Sequence, residues 1–159
     1  MSNKSPVLKA SYSHIGVCVS DLERSKAFYR EALGFVEGAV FESGNEVKQL
    51  VGIDNDIEMI SQMMVLDTFV VELICFKRPL TVSSGELRAI NQTGLTHLSF
   101  VVEDVDAAAK HLASCGAKVL SSTHTNIEVA DDDSTELIFC TDPDGTRIEL
   151  YKPSSHWQP

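Results

Sequence analysis

Four residues have the types and spacing needed to hold a metal ion: His14, Glu72, His97 and Glu149. The histidines open two alternating runs, "SHIGVCV" and "THLSFVV", and the glutamates sit inside two others, "VVELICF" and "RIELY". Side chains of an extended chain alternate between two faces. Ile15, Val17 and Val19 therefore share one face, and His14, Gly16 and Cys18 share the other. The same parity turns His97 away from Leu98, Phe100 and Val102. Glu72 lies with Val70, Ile74 and Phe76, opposite Val71, Leu73 and Cys75. Glu149 lies with Arg147 and Tyr151, opposite Ile148 and Leu150. If the two sheets curl toward each other, the four residues converge in a cleft. Two imidazoles and two carboxylates form a mixed N/O donor set suited to Zn, Ni, Co, Mn or Fe as a divalent ion. A single histidine or glutamate on a strand is more often just hydrogen-bonded or solvated; the weight comes from the pair recurring at equivalent places.

The elements that must position these residues also recur. With His14 aligned to His97, Ser13 meets Thr96, Val17 meets Phe100, Asp21 meets Asp104 and Leu22 meets Val105. Repetition at about half the chain length predicts two structural units, neither able to bury its own face alone. Each reads as strand, helix, strand, strand, strand. The first helix starts at "SDLE", with Ser20 as cap and Glu23 closing a capping box, and stops at Gly34. The second follows an Asp104 cap, carries Val105, Ala108, Ala109 and Leu112 on one stripe, and ends at Gly116. Extended stretches are expected over Phe35–Phe41, Glu58–Leu66 and Phe69–Phe76, then over Lys118–Leu120, Thr135–Thr141 and Arg147–Tyr151. The turn "DPDG" (Asp142 to Gly145) separates the last two. Gly44 to Asp56 reads as a loop with one helical turn. The expected fold class is α+β. Its division is a tail at 1–10, a first βαβββ module at 11–76, a linker at 77–94 with a short helix over Glu86–Ile90, a second module at 95–153 and a loose tail at 154–159. Asp131 to Asp133 read as a solvated turn, and His111, His124 and His156 as structural or exposed.

Composition narrows the function classes. The 159 residues suffice for one compact unit, and 43% hydrophobic against 23% charged residues is the mix of a globular protein. No apolar run approaches the ~20 residues of a membrane helix, and the N-terminus lacks the apolar core of a signal peptide. A cytoplasmic location and no membrane partner are expected. A net charge of −10 with scattered basic residues argues against a nucleic-acid partner. Cys18, Cys75, Cys115 and Cys140 have no metal or redox spacing and read as free thiols.

At "HIGVCVSDLERSKAFYREALGF" and "DPDGTRIELYKP" the sequence resembles the vicinal oxygen chelate superfamily: glyoxalase I, methylmalonyl-CoA epimerase, extradiol dioxygenases, fosfomycin-modifying enzymes and bleomycin-resistance proteins. The resemblance runs from about Ser11 to Pro153. It implies paired βαβββ modules forming a cupped mixed sheet around a metal, with the family's four ligand places on His14, Glu72, His97 and Glu149. It also implies a homodimer, with the site built within one chain or between two, and a small-molecule substrate.

Within the superfamily the ligand pattern is nearest glyoxalase I. That implies a metal-dependent lyase or isomerase in which the ion polarises a carbonyl oxygen and Glu149 or Glu72 takes the adjacent C–H proton, through an enediolate or enolate. The places that grip glutathione in bacterial glyoxalase I are Cys18 and Phe76 here, which argues against glutathione. The expected cleft residues, Cys18, Ile74, Phe76, Val101, Arg147 and Tyr151, suggest a more apolar substrate. Three alternatives stand beside this reading. An epimerase-like isomerase is weakened by Glu72, where glutamine is usual, and by Gln49 near the expected base. An extradiol-type dioxygenase is weakened by a fourth ligand. A non-enzymatic drug-sequestering protein is weakened by the ligand set itself.

Overall fold

A computed structural model describes residues 10–83 and 86–156. The first half starts with strand β1 (Ile15–Cys18) and helix α1 (Leu22–Leu33). Asp21, not Ser20, caps α1: its carboxylate accepts from the Arg24 amide at 3.0 Å. Ser20 instead donates its amide and hydroxyl to Asp144, and its oxygen accepts from the Arg24 guanidinium at 3.0 Å. Gly34 closes α1 in the left-handed region (φ 76°), where a Cβ would be strained. The chain continues through β2 (Val36–Ser43), a 3₁₀ turn over Asn45–Val47 leading into the short α2 (Lys48–Val51), β3 (Glu58–Leu66) and β4 (Phe69–Arg78). These strands form one sheet in the order β1-β4-β3-β2, with β1 parallel to β4 and the rest antiparallel.

The second half repeats the plan. Strand β5 (Leu98–Val101) leads to α3 (Val105–Ser114), capped by Asp104 as expected, with Ala107 N donating at 2.8 Å. Then come β6 (Lys118–Val119), β7 (Thr125–Ala130), β8 (Asp133–Thr141) and β9 (Arg147–Lys152). The sheet runs β5-β9-β8-β6, and β7 also pairs with β8. Thus the place of β2 is taken here by two strands broken at a 3₁₀ turn over Ser121–Thr123. β7 lacks a buried face, since all its residues are exposed, and so gave no hydrophobic alternation to read.

Three further expectations change. The 86–90 stretch contains no helix; Arg88 and Leu95 instead close it by a side-chain-to-carbonyl bond. Asp133 is the first residue of β8 rather than part of a solvated turn; only Asp131 and Asp132 make the turn. Its carboxylate accepts from Ser155 N and Oγ and contacts His156 Nδ1, so the tail is anchored as far as His156. Residues 157–159 lie outside the described part.

Both sheets bury the face that carries their helix. Val17, Val19, Val71 and Leu73 from the first half, and Leu98, Ile138, Ile148 and Leu150 from the second, belong to one continuous core. Phe35, Phe69 and Phe100 meet ring to ring across the two halves, at centroid distances of 6.1 to 6.4 Å. His111 on α3 bonds the carbonyl of Glu31 on α1 at 3.0 Å. Asp144, in the turn between β8 and β9, reaches α1: it accepts from Ser20, from Arg24 Nη2 at 2.7 Å and from Ser25. The "DPDG" turn thus fastens the second half onto the start of the first helix. Beside it, buried Asp142 accepts from the amides of Asp144 and Thr146 and from the Tyr29 hydroxyl.

Candidate metal centre

In each half a parallel ladder brings a histidine and a glutamate together. β1 and β4 align Gly16 with Glu72, and β5 and β9 align Ser99 with Glu149. Each histidine precedes its strand by one residue and lies on the same face. The resulting separations are 3.2 Å for His14 Nε2 to Glu72 Oε2 and 3.5 Å for His97 Nε2 to Glu149 Oε2. Neither glutamate enters the core: each side chain keeps 17% of its surface exposed, while Val71, Leu73, Ile148 and Leu150 beside them are buried.

Each imidazole has a hydroxyl from the preceding residue at its other nitrogen. Ser13 Oγ lies 2.9 Å from His14 Nδ1, and Thr96 Oγ1 lies 2.9 Å from His97 Nδ1. With Nδ1–H donated to that hydroxyl, Nε2 keeps its lone pair on the side facing the carboxylate. An outer partner on the non-ligating nitrogen is what orients metal-bound histidines. The donor spacing fits as well. Two neighbouring ligands at about 2.1 Å from an ion stand about 3.0 Å apart in an octahedron and about 3.4 Å in a tetrahedron. Each pair can therefore supply two of an ion's ligands. Among the described residues, however, no three His, Cys, Asp or Glu side chains are grouped so that they could hold a metal ion. One chain presents two separate His–Glu pairs.

The surroundings of the two pairs differ. Gly16 packs closely beside the first pair: a Cβ there would crowd Ile74 Cδ1 at 3.3 Å and stand 3.9 Å from Glu72 Oε2. At the equivalent place Ser99 donates to Glu149 Oε2 at 2.6 Å. Phe139, opposite Glu149 in the β8–β9 ladder, sets its ring edge-on to His97 at 5.3 Å, and the Arg147 guanidinium lies 5.5 Å over the same ring. Ser99 and Phe139 escaped the sequence reading. For Ser99 the signal was present, since it stands two residues after His97 on the same face. For Phe139 it was not, because the β8–β9 register is needed.

The expected cleft residues are not gathered at one place. Ile74 flanks the first pair. Phe76 lines a groove of about 500 Å³ with Ile60 and Leu80, at the start of α1, whose wall includes neither His14 nor Glu72. Val101 is 61% exposed on β5, the outer strand of its sheet, and Tyr151 is half-buried. Desolvation pushes the Cys18 thiol up from its ordinary value, outweighing its hydrogen bond with Thr81. The remaining histidines have other partners: His124 lies between Glu136 at 2.8 Å and Asp106 at 3.9 Å, His156 meets Asp133, and His111 meets a carbonyl.

The model of the Glyoxalase/Bleomycin resistance protein/Dioxygenase superfamily matches residues 11–150. The chain belongs to this superfamily. It is 31% identical over 140 residues to the uncharacterised protein YaeR of Escherichia coli K12, covering 87% of this chain and 93% of that one. Its fold is that of a glyoxalase family protein from Bacillus cereus (TM-score 0.74, 21% identity, 96% and 98% of the chains covered). It is also similar to the fosfomycin resistance protein FosX of Listeria monocytogenes, solved with Mn(II) and sulfate (TM-score 0.59, 16% identity, 93% and 96% covered).

Proposed function

We propose that this superfamily member is a divalent-metal-dependent enzyme of the glyoxalase I-like or epimerase-like type. In this reading His14 and Glu72 of one chain and His97 and Glu149 of a second chain hold one ion (Zn, Ni, Co, Mn or Fe) in a homodimer. The observation that carries it is the duplicated pair: in each half an imidazole is backed by a hydroxyl at Nδ1 and faces a carboxylate with Nε2. Assembly from two chains is supported by the position of the pairs. β1 and β5 are the end strands of their sheets, so each pair lies at a sheet edge that can meet another chain.

The ion would supply Lewis-acid polarisation of a substrate carbonyl. The chain's own residues would move the proton. A carboxylate, Glu149 or Glu72, removes it from the carbon beside the carbonyl and returns it to the same carbon or its neighbour, so no external oxidant or reductant is needed. Ser99 donates to Glu149 Oε2, whereas Gly16, at the equivalent place beside Glu72, has no side chain to do so.

Metal analysis of protein purified without chelators tests the reading. About one ion per chain is expected, falling to background in Glu149→Gln and in His14→Ala with far-UV circular dichroism unchanged. Wild-type protein that stays metal-free when loaded with each of the five ions would contradict it.

A further inference from the structure

Next to the second His–Glu pair is a small cavity of about 160 Å³, whose wall includes Leu87, Arg88, Leu95, His97, Thr146 and Arg147. Among the described residues no carboxylate lines it, although the chain carries 23 acidic against 13 basic residues. The sequence has five arginines. Three of them, Arg24, Arg30 and Arg78, are ion-paired with Asp144, with Glu31 and Glu37, and with Glu58. Among the described residues the other two, Arg88 and Arg147, have no carboxylate partner, and both line this cavity.

Their bonds go to backbone carbonyls instead. Arg147 Nη2 donates to the carbonyl of Arg88 at 2.9 Å, and Arg88 Nη2 donates to that of Leu95. Phe139 supports the Arg147 guanidinium from one side and His97 from another. A guanidinium has five N–H donors in a fixed fork. A bond to a carbonyl holds the fork in place without neutralising it, and leaves donors for an oxyanion. Two such groups, held beside a ligand histidine, have the chemistry that binds carboxylate or phosphate head groups.

We infer that Arg88 and Arg147 form an anion subsite that holds the charged end of the substrate next to His97. The substrate is then an oxyanion-bearing molecule, a small carboxylate or phosphate ester, rather than the apolar compound that the sequence suggests. At about 160 Å³ the cavity has room for one such head group. The catalytic meaning of the subsite rests on the metal reading above; the anion site does not.

The test uses the full-length protein, freed of metal and then of chelator by dialysis. Inorganic phosphate and acetate are titrated separately at constant ionic strength, followed by the ¹⁵N–¹H signals of the arginine side chains and of Leu95 and Thr146. Saturable shifts are expected, and the tighter of the two probes identifies the head group as phosphate or carboxylate. Arg88→Gln and Arg147→Gln should each weaken binding tenfold or more. Arg147→Lys, which keeps the charge and loses the fork, should fall between. Arg78→Gln, at a guanidinium bound to Glu58, should change nothing. Metal content of the two glutamine variants is measured in parallel and should match wild type. If it does and anion binding is lost, the subsite stands; if wild type binds anions and no metal, the subsite stands and the metal reading falls. Absence of saturable shifts in wild type, or equal anion affinity in Arg88→Gln, overturns the subsite.

Discussion

At the residue scale, the two histidines are set by their neighbours as much as by their own chemistry. Ser13 and Thr96 meet Nδ1 of His14 and His97 at the same 2.9 Å. If Nε2 is the ligating atom, removing that hydroxyl frees the ring to rotate or change tautomer. Ser13→Ala and Thr96→Val should each lower metal affinity by about 10–100-fold, the usual cost of losing a partner of a ligand histidine. Competition against a chromophoric chelator reads this directly, and unchanged affinity would show that the hydroxyls are incidental. The parity of the four candidate ligands was legible because alternation in a strand is rigid: once Val71 and Leu73 are core, Glu72 cannot be. Arg88 was not legible, because it lies in an irregular segment between the sheets, where no period says which way a side chain faces. The repeat register did carry Ser99, opposite Gly16 of the first half, but its value as a donor appears only when β5 is laid against β9.

At the element scale, the "DPDG" turn does more than join β8 to β9. Burial alone would raise the pKa of Asp144, but hydrogen bonds from Ser20 and Arg24 outweigh it and hold the carboxyl below its ordinary value. A carboxyl depressed in the folded state contributes its stability in full above the unfolded pKa of about 3.9, and loses it as pH falls through the lower folded value. Asp144→Asn should therefore cost about 1–2 kcal/mol at pH 7, the range for charged hydrogen bonds reduced because Arg24 is half exposed. The gap between variant and wild type in urea unfolding should narrow as pH drops below about 4. A gap that does not change with pH would assign the loss to geometry rather than charge. The same contact explains the cap of α1. "SDLE" offers two cap residues, and the choice of Asp21 is decided by Asp144, which lies more than a hundred positions away in sequence and captures Ser20. The Asp104 cap has no such competitor and was legible. Strand β7 was hidden for a different reason: with every residue exposed, it pairs by backbone alone and carries no hydrophobic signature.

At the scale of the whole molecule, one core unites two sheets, yet the two His–Glu pairs stay apart. The ring contacts among Phe35, Phe69 and Phe100 and the Asp144 clamp fasten the halves through their helix-covered faces. The faces that carry the pairs are the ones opposite that core, and β1 and β5 are the end strands of their sheets. Duplication was plain in the sequence; how the halves face each other was not, because alternation within a strand says nothing about the angle between sheets. The central claim is that each metal site takes one pair from each of two chains. Subunit complementation tests it most directly. His14→Ala and His97→Ala proteins, each metal-deficient alone, are unfolded together in equal amounts, refolded, and assayed for bound metal. In a heterodimer of the two, one composite site has lost both histidines and the other is intact, so the mixture should regain about a quarter of the wild-type metal content. No recovery, with heterodimers shown to form, would contradict a site shared between chains.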